Sequence, residues 1–190
     1  MNFQELLKKF CKLLQRGKIR YLLTGGLATG FYGFPRTTHD IDFIVEVERE
    51  SIYKLHTVLA NLGRSYLVSV DQLTEHIQQT PILVTAFHFK SGIKIDFWII
   101  EREHFVIEWK RRSERTFLGQ KIVLVSPEDL ILTKLSWCKE LRSERHMGDC
   151  VGIWCVQKGR LDEDYLKKRA SELGVTGLLA EISTGSLPET

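Results

Sequence analysis

Two aspartates at the start of an apolar run, Asp40 and Asp42, are the residues of this chain best suited to carry out chemistry. If the run forms a strand, residues two apart project from the same face, so the two carboxylates lie side by side. Carboxylates that close repel each other, and one takes up a proton unless a cation lies between them. Carboxylate oxygens suit Mg²⁺ or Mn²⁺. The pair therefore predicts a divalent metal site.

A glycine pair, Gly25 and Gly26, precedes these aspartates and follows the apolar run Tyr21–Leu23. Glycine has no Cβ, so the backbone N–H groups of the pair can approach a phosphate closely. A short helix predicted over 27–32 adds the positive end of its dipole. Most glycine pairs are simple turns, and the two aspartates are what make this one specific. A phosphate cradle beside a metal site predicts attack on a nucleoside triphosphate.

The pattern of a glycine pair, a short helix and D-h-D, where h is apolar, resembles the DNA polymerase β-type nucleotidyltransferase superfamily. A fuller form, GG-x-A followed by R-x-T-x-D-I-D, resembles small bacterial nucleotidyltransferases related to AbiEii-type abortive-infection proteins and MenT-type toxins. It is present as Gly25, Gly26, Ala28, Arg36, Thr38, Asp40, Ile41 and Asp42. Such enzymes move a nucleoside monophosphate from an NTP to an acceptor. The resemblance implies an α+β nucleotidyltransferase fold, with a small mixed β-sheet flanked by helices and a helical C-terminal part.

A third acid, Asp96, lies in a predicted strand over 93–100, whose apolar residues face the other way. Taken alone, Asp96 is more simply a surface aspartate. The family pattern has a third acid on a later strand, so we predict that Asp96 joins the other two. Asp40 and Asp42 would then hold the metal that grips the triphosphate. Asp96 would complete a second metal site and help to deprotonate the acceptor hydroxyl.

Arg36 and Thr38 precede the aspartates, and the motif places both with the nucleotide. An arginine can bind a phosphate through two parallel N–H bonds, and the alternative for Arg36 is a salt bridge to the acidic cluster. His39 lies between Thr38 and Asp40, where strand alternation turns it away from the acids, so we predict that it is structural or faces solvent.

A second set of candidate residues lies near the C-terminus, where P-E-D-L-x-x-x-K and R-x-x-x-D runs resemble the same toxin-related proteins. By that resemblance Lys134 binds the triphosphate, while Arg145 and Asp149, four apart on a helix, pair and position it. The alternatives are a solvent-facing lysine at position 134 and a purely structural Arg145–Asp149 pair.

The order of predicted elements changes near residue 126. Helices are predicted over 3–15, 27–32, 48–62 and 102–112, strands over 19–23 and 40–47, and hairpins over 82–100 and 115–124. Only helices follow, over 127–141, 145–158, 162–173 and 175–182, the first with Ser126 as its N-cap and Pro127 at its first position. We therefore predict a nucleotidyltransferase α/β core over 1–125, a helical part over 126–182 packed on it, and a flexible tail over 183–190.

The composition predicts a soluble globular protein and does not by itself indicate a nucleic-acid partner. The 190 residues are 43% hydrophobic and 27% charged, and the net charge of +3 permits a nucleic-acid partner without indicating one. The four cysteines form no CxxC pair, which favours buried free thiols in a reducing cytoplasm. The N-terminus lacks the pattern of a signal peptide, and no apolar run approaches the roughly 20 residues needed to span a membrane.

These observations predict a cytoplasmic, Mg²⁺- or Mn²⁺-dependent nucleotidyltransferase that uses an NTP and releases pyrophosphate. The acceptor hydroxyl could belong to RNA, protein or a small molecule, and the toxin resemblance favours the first two and implies an antitoxin partner. The alternative is a non-catalytic nucleotide-binding or antitoxin-like module on the same fold, because fold does not fix function. A kinase-like toxin is less favoured, because the sequence has no G-x-x-x-x-G-K-[ST] motif.

Overall fold

The computed structural model of the protein describes residues 1–46, 49–68 and 81–185, and the side chains of all of these except 49–51. Within these ranges the chain forms eight helices and seven strands, as the α+β prediction requires. The helices are α1 Phe3–Arg16, α2 Gly25–Tyr32, α3 Arg49–Ala60, α4 Arg102–Arg111, α5 Pro127–Glu140, α6 Glu144–Gln157, α7 Glu163–Leu173 and α8 Thr176–Thr184. The strands are β1 Tyr21–Leu23, β2 Asp40–Glu46, β3 Tyr66–Val68, β4 Ile82–His88, β5 Ile93–Ile100, β6 Ser113–Phe117 and β7 Gln120–Leu124.

The seven strands form one mixed sheet in the order β3-β4-β5-β2-β1-β7-β6. Strand β2 pairs with β5 in parallel and with β1 in antiparallel orientation, and β1 pairs with β7 in parallel. The hairpins β4–β5 and β6–β7 lie where the alternating sequence pattern predicts them. Strands β2 and β5 are both interior to the sheet, which places side by side the two strands that carry the predicted acids.

The chain divides into two compact units. The first contains Met1–Leu27 and Thr37–Val125, and the second contains Ala28–Arg36 together with the residues from Ser126 onward. The division at Ser126 coincides with the change to helices alone. The segment Ala28–Arg36, which the sequence analysis places in the core over 1–125, lies in the second unit.

The core of the first unit lies on one face of the sheet. Phe43 of β2 stacks on Phe97 of β5 with ring centroids 5.5 Å apart, and Phe10 of α1 covers Phe97 at 6.0 Å. All three rings are fully buried. Because strand side chains alternate, these apolar residues oblige Asp42 and Asp96 to project from the opposite face.

The second unit has its own core, built from helices α5 to α8. Helix α5 begins where the sequence predicts, since the Ser126 hydroxyl accepts a hydrogen bond from the backbone N–H of Asp129 and Pro127 occupies the first turn. The segment Ala28–Arg36 packs closely on α6, because a Cβ on Gly152 would lie 2.9 Å from the ring of Phe34. A Cβ on Gly33 would approach the backbone of α6 equally closely. These two glycines explain why the segment belongs to this unit.

Several smaller expectations can be compared with the structure. All four cysteines are free thiols, and Cys11, Cys138 and Cys150 are buried. Helix α8 extends to Thr184, so residues 183 and 184, placed by the sequence in the tail, are helical, whereas 186–190 lie outside the described residues. Residues 47–48, at the predicted junction of a strand and a helix, also lie outside the described residues, as do residues 69–80, for which the sequence analysis assigns no element. Among the described residues, no helix is long and apolar enough to cross a membrane.

Candidate functional site

The pairing of β2 with β5 brings the three predicted acids together. Asp42 lies directly opposite Asp96, and Asp40 lies opposite Lys94, so all four residues share the sheet face that is turned away from the core. Asp96 is buried, whereas Asp40 and Asp42 are partly exposed. The D-I-D spacing predicted the shared face of Asp40 and Asp42, and the family pattern supplied Asp96 on a later strand.

Lys94 is a member of this cluster that the sequence analysis missed. Its Nζ lies 3.3 Å from Asp40 Oδ1 and 3.7 Å from Asp96 Oδ2. Partial burial acts to lower the pKa of Lys94, but the charges of Asp96, Asp40 and Asp42 outweigh it and raise the pKa above its ordinary value. Lys94 is therefore a cation held among carboxylates. The sequence did carry a signal for it, because Lys94 precedes Asp96 by two residues and must share its face.

Thr85 orients the third acid. It lies opposite Asp96 across the β4–β5 pair, and its hydroxyl donates a hydrogen bond to Asp96 Oδ1 at 2.5 Å. That bond fixes one carboxylate oxygen of Asp96 and leaves Oδ2 facing Lys94. The sequence analysis gave Thr85 no role, because its position depends on the register of a hairpin.

The glycine pair opens helix α2, so Gly25 and Gly26 belong to the helix rather than to a turn before it. Gly25 has a φ of +64°, and a Cβ at this position would lie 1.9 Å from Asp42 Oδ2. The backbone N–H of the preceding Thr24 donates a 3.0 Å hydrogen bond to the carbonyl oxygen of Asp42. Gly25 is thus required both by its conformation and by the close approach of Asp42. Gly26 is buried beside it.

Replacing Gly25 with alanine is expected to disrupt the position of Asp42 and to destabilise the protein, because a Cβ cannot share space with the carboxylate. Alanine at a positive φ adds about 1 kcal/mol of backbone strain before any clash. The matched control is Gly30→Ala, because Gly30 lies in the same helix and a Cβ there meets nothing within 4 Å. We expect thermal unfolding to show a lower Tm for Gly25→Ala and an unchanged or higher Tm for Gly30→Ala. Equal Tm values for the two variants would contradict this account of Gly25.

Two further threonines lie next to the acids. The Thr38 hydroxyl donates a 3.3 Å hydrogen bond to the carbonyl oxygen of Asp40. This bond links the residues just before β2 to the first residue of the strand. The Thr24 side chain is buried, and its hydroxyl has no hydrogen-bond partner among the residues that the structure describes. His39 is exposed, as strand alternation predicts.

In the second unit, Asp149 is the centre of an ion triad. Arg36 donates two hydrogen bonds to its carboxylate, from Nε to Oδ1 at 2.7 Å and from Nη2 to Oδ2 at 2.8 Å. Lys134 Nζ donates a third to Oδ2 at 2.8 Å. Burial acts to raise the pKa of Asp149, but the Arg36 hydrogen bond and the charge of Lys134 together hold it below its ordinary value.

The sequence analysis considered two pairings, Arg145 with Asp149 and Arg36 with the acidic cluster, and this triad is neither of them. Lys134 is fully buried, with 1% of its surface exposed, which excludes a solvent-facing lysine. Arg145, the expected partner of Asp149, is exposed, and the contacts to Asp149 described above come instead from Arg36 and Lys134. Helical spacing alone suggested Arg145, but the chain brings Arg36 to Asp149 from 113 residues away. Arg36 thus forms a salt bridge with Asp149.

The carboxylates of the first unit fit a divalent cation in their chemistry. Across residues 1–46, 49–68 and 81–185, no three His, Cys, Asp or Glu side chains are placed as a ready set of metal ligands. The three aspartates nevertheless offer oxygen donors from adjacent strands on one face, and the ammonium of Lys94 already lies against two of them. A set of carboxylates that holds a cation is the donor chemistry Mg²⁺ and Mn²⁺ require.

Comparison with solved structures identifies the fold. The chain is similar to an antigenic nucleotidyltransferase-like protein from Paracoccidioides brasiliensis, with a TM-score of 0.56 and 16% identity over 97% of this chain and 93% of that one. It is similar to ANT(2")-Ia, solved in complex with adenylyl-2"-tobramycin, with a TM-score of 0.62 and 14% identity over 90% and 95% of the two chains. The lincosamide antibiotic adenylyltransferase LnuA, solved with lincomycin bound, gives a TM-score of 0.54 and 18% identity over 82% and 98%.

No family model matches the sequence, and no curated protein matches it either. At 14 to 18% identity the structural likenesses establish the fold, and the protein has the nucleotidyltransferase fold. The narrower resemblance to AbiEii- and MenT-type proteins stays a prediction from the motif.

Proposed function

We propose that the protein is a divalent-metal-dependent nucleotidyltransferase that moves a nucleoside monophosphate from an NTP to a hydroxyl acceptor. The observation that supports this most directly is the register of β2 against β5, which sets Asp42 opposite Asp96 and Asp40 one pair further along the same face. A purely binding module has no need for three carboxylates at such spacing, since their mutual repulsion costs free energy. The neighbours with this fold include adenylyltransferases, which is consistent with the same class of reaction.

In this proposal Asp40 and Asp42 hold the metal that grips the triphosphate, and Asp96 shares the metal site and accepts the proton of the acceptor hydroxyl. Mg²⁺ or Mn²⁺, when bound, neutralises charge on the attacking and leaving oxygens. The acceptor oxygen forms a bond to the α-phosphorus in line, the bond from the α-phosphorus to the bridging oxygen breaks, and pyrophosphate leaves. Thr85 keeps Asp96 oriented through its hydrogen bond to Oδ1.

The backbone around Gly25 and Gly26 is proposed to contact the phosphates. Both residues lie in the first turn of α2, at the positive end of the helix dipole. Thr38 supports the position of Asp40 through its carbonyl oxygen. The assignment of Arg36, Lys134, Arg145 and Asp149 to the nucleotide rests on the resemblance alone, and the described geometry of the second unit shows three of them in a structural ion triad.

The experiment that tests the proposal is incubation of the pure protein and Mg²⁺ or Mn²⁺ with each of the four α-³²P-labelled NTPs. The acceptors offered are total RNA, lysate protein, an aminoglycoside and a lincosamide, the last two because similar folds have been solved with tobramycin and lincomycin compounds. We expect metal-dependent transfer of label from one NTP to one acceptor class, with release of pyrophosphate. Binding of NTP without transfer to any acceptor would favour the non-catalytic module.

A further inference from the structure

The ammonium of Lys94 contacts two of the three proposed metal ligands at once. Its Nζ lies 3.3 Å from Asp40 Oδ1 and 3.7 Å from Asp96 Oδ2. The position of Lys94 opposite Asp40 and two residues before Asp96 keeps the side chain on the carboxylate face. The Lys94 side chain is 48% exposed. It can therefore swing into solvent without disturbing the apolar core on the other face of the sheet.

The ammonium of Lys94 and a divalent cation compete for the same two oxygens, Asp40 Oδ1 and Asp96 Oδ2. Three aspartates carry three negative charges, and Lys94 compensates one of them at ion-pair distances. Mg²⁺ coordinates oxygen at about 2.0–2.1 Å and brings two positive charges, so it neutralises the cluster better than the ammonium. A bound cation would repel a positive charge a few ångströms away. A divalent cation that coordinates Asp40 Oδ1 and Asp96 Oδ2 therefore takes the place of the ammonium on these two oxygens.

We propose that Lys94 stands in for the metal ion in the nucleotide-free protein and is displaced from Asp40 and Asp96 when a divalent cation binds. This inference rests on the proposed function, because the cation that displaces Lys94 is the one assigned to the reaction. Lys94 then keeps the three carboxylates together without metal and weakens metal binding in the absence of nucleotide. It is a positioning residue of the metal site rather than a catalytic residue.

The test is a titration of Mn²⁺ into nucleotide-free protein, with free Mn²⁺ followed by electron paramagnetic resonance. Lys94→Met removes the ammonium and keeps an unbranched side chain, and Lys90→Met removes the same charge from the exposed end of the β4–β5 hairpin. Because exposed ion pairs are weak, we expect Lys94→Met to bind Mn²⁺ only about fivefold more tightly than wild type. At physiological ionic strength the Mn²⁺ affinity of Lys90→Met should differ from that of wild type by less than about twofold. Equal affinities in the two variants, or no Mn²⁺ binding to Lys94→Met, would overturn the inference.

A second measurement uses the unmodified protein, so it does not depend on the folding of Lys94→Met. An amine-reactive acetylating reagent is applied with and without Mn²⁺, and modification at each lysine is measured by mass spectrometry. We expect Mn²⁺ to speed modification of Lys94 about threefold or more, since surface pairs of this kind contribute up to about 1 kcal/mol. Lys90 serves as the internal reference and should be unaffected. Protection of Lys94 by Mn²⁺, or no change, would contradict displacement.

The two proposals fail in different ways. Transfer of label from an NTP by wild type, combined with equal Mn²⁺ affinity in Lys94→Met and Lys90→Met, would leave the proposed function standing and overturn the role of Lys94. Tighter Mn²⁺ binding by Lys94→Met, combined with no transfer to any acceptor, would support the displacement and count against catalysis.

Discussion

Replacing Asp42 with asparagine is expected to reduce NTP turnover by at least about a thousandfold, because a metal ion contributes several kcal/mol of transition-state charge stabilisation and each 1.36 kcal/mol is about tenfold in rate. Asp42 lies opposite Asp96 and against the backbone of Gly25. It therefore adjoins both the proposed metal site and the backbone proposed to contact the phosphates. Asparagine keeps the shape of the side chain and removes one charge from a set of three carboxylates. Turnover is measured by transfer of label from α-³²P-NTP.

The same substitution is expected to change the Tm little, because it relieves repulsion and opens no cavity. Asp164→Asn is the matched control, since Asp164 is an exposed aspartate in the first turn of α7 and has no role in the proposal. Its turnover should equal that of wild type. Full activity in Asp42→Asn would contradict the metal-dependent mechanism. A much lower Tm for this variant would mean that its inactivity results from unfolding and not from loss of a metal ligand.

Local periodicity explains why the acid cluster could be predicted. Asp40 and Asp42 share a face by the two-residue repeat of a strand, and apolar neighbours oblige Asp96 to project away from the core. What periodicity cannot give is which strands are neighbours. The family pattern supplied that step, and the observed register of β2 against β5 provides the direct pairing of Asp42 with Asp96.

Long-range contacts explain what could not be predicted. Arg36 and Asp149 are 113 residues apart, and no local pattern indicates that they meet. Helical spacing instead favoured Arg145, which is a valid i,i+4 neighbour but lies on the exposed side of α6. The assignment of Ala28–Arg36 to the second unit depends in the same way on close packing at Gly33 and Gly152. Such contacts follow from tertiary packing and cannot be predicted from local helix or strand propensity.

The second large effect is expected at the ion triad of Arg36, Lys134 and Asp149, where Asp149→Asn should strongly destabilise the protein. The substitution leaves the fully buried ammonium of Lys134 without a countercharge. Breaking a buried pair in this way costs about 3–5 kcal/mol, whereas exposed pairs contribute little. For a chain of this size we expect a Tm lower by about 10 °C at neutral pH. The exposed pair of Arg142 with Glu181 gives the matched control, because Glu181→Gln should leave the Tm nearly unchanged.

The pH dependence of that difference follows from the lowered pKa of Asp149. A carboxyl group with a depressed pKa in the folded state contributes stability that is fully present above its unfolded value, about 3.9, and is lost as the pH falls through the folded value. The gap in Tm between wild type and Asp149→Asn should therefore be constant near neutral pH and narrow only below about pH 4. A gap that narrowed between pH 8 and pH 6 would implicate a different group.

Substitution of the buried lysine separates structure from function in the same triad. Lys134→Met leaves the bidentate pair of Arg36 with Asp149 intact and balances its charge, so the Tm should change little or rise. If Lys134 also binds the triphosphate, as the resemblance implies, this folded variant should lose at least about tenfold in NTP turnover, because a hydrogen bond to a charged group contributes about 1.5–3 kcal/mol. Full turnover in Lys134→Met would restrict the lysine to a structural role. Full turnover in Lys134→Met together with a fall in turnover for Asp42→Asn would place the determinants of catalysis in the first unit.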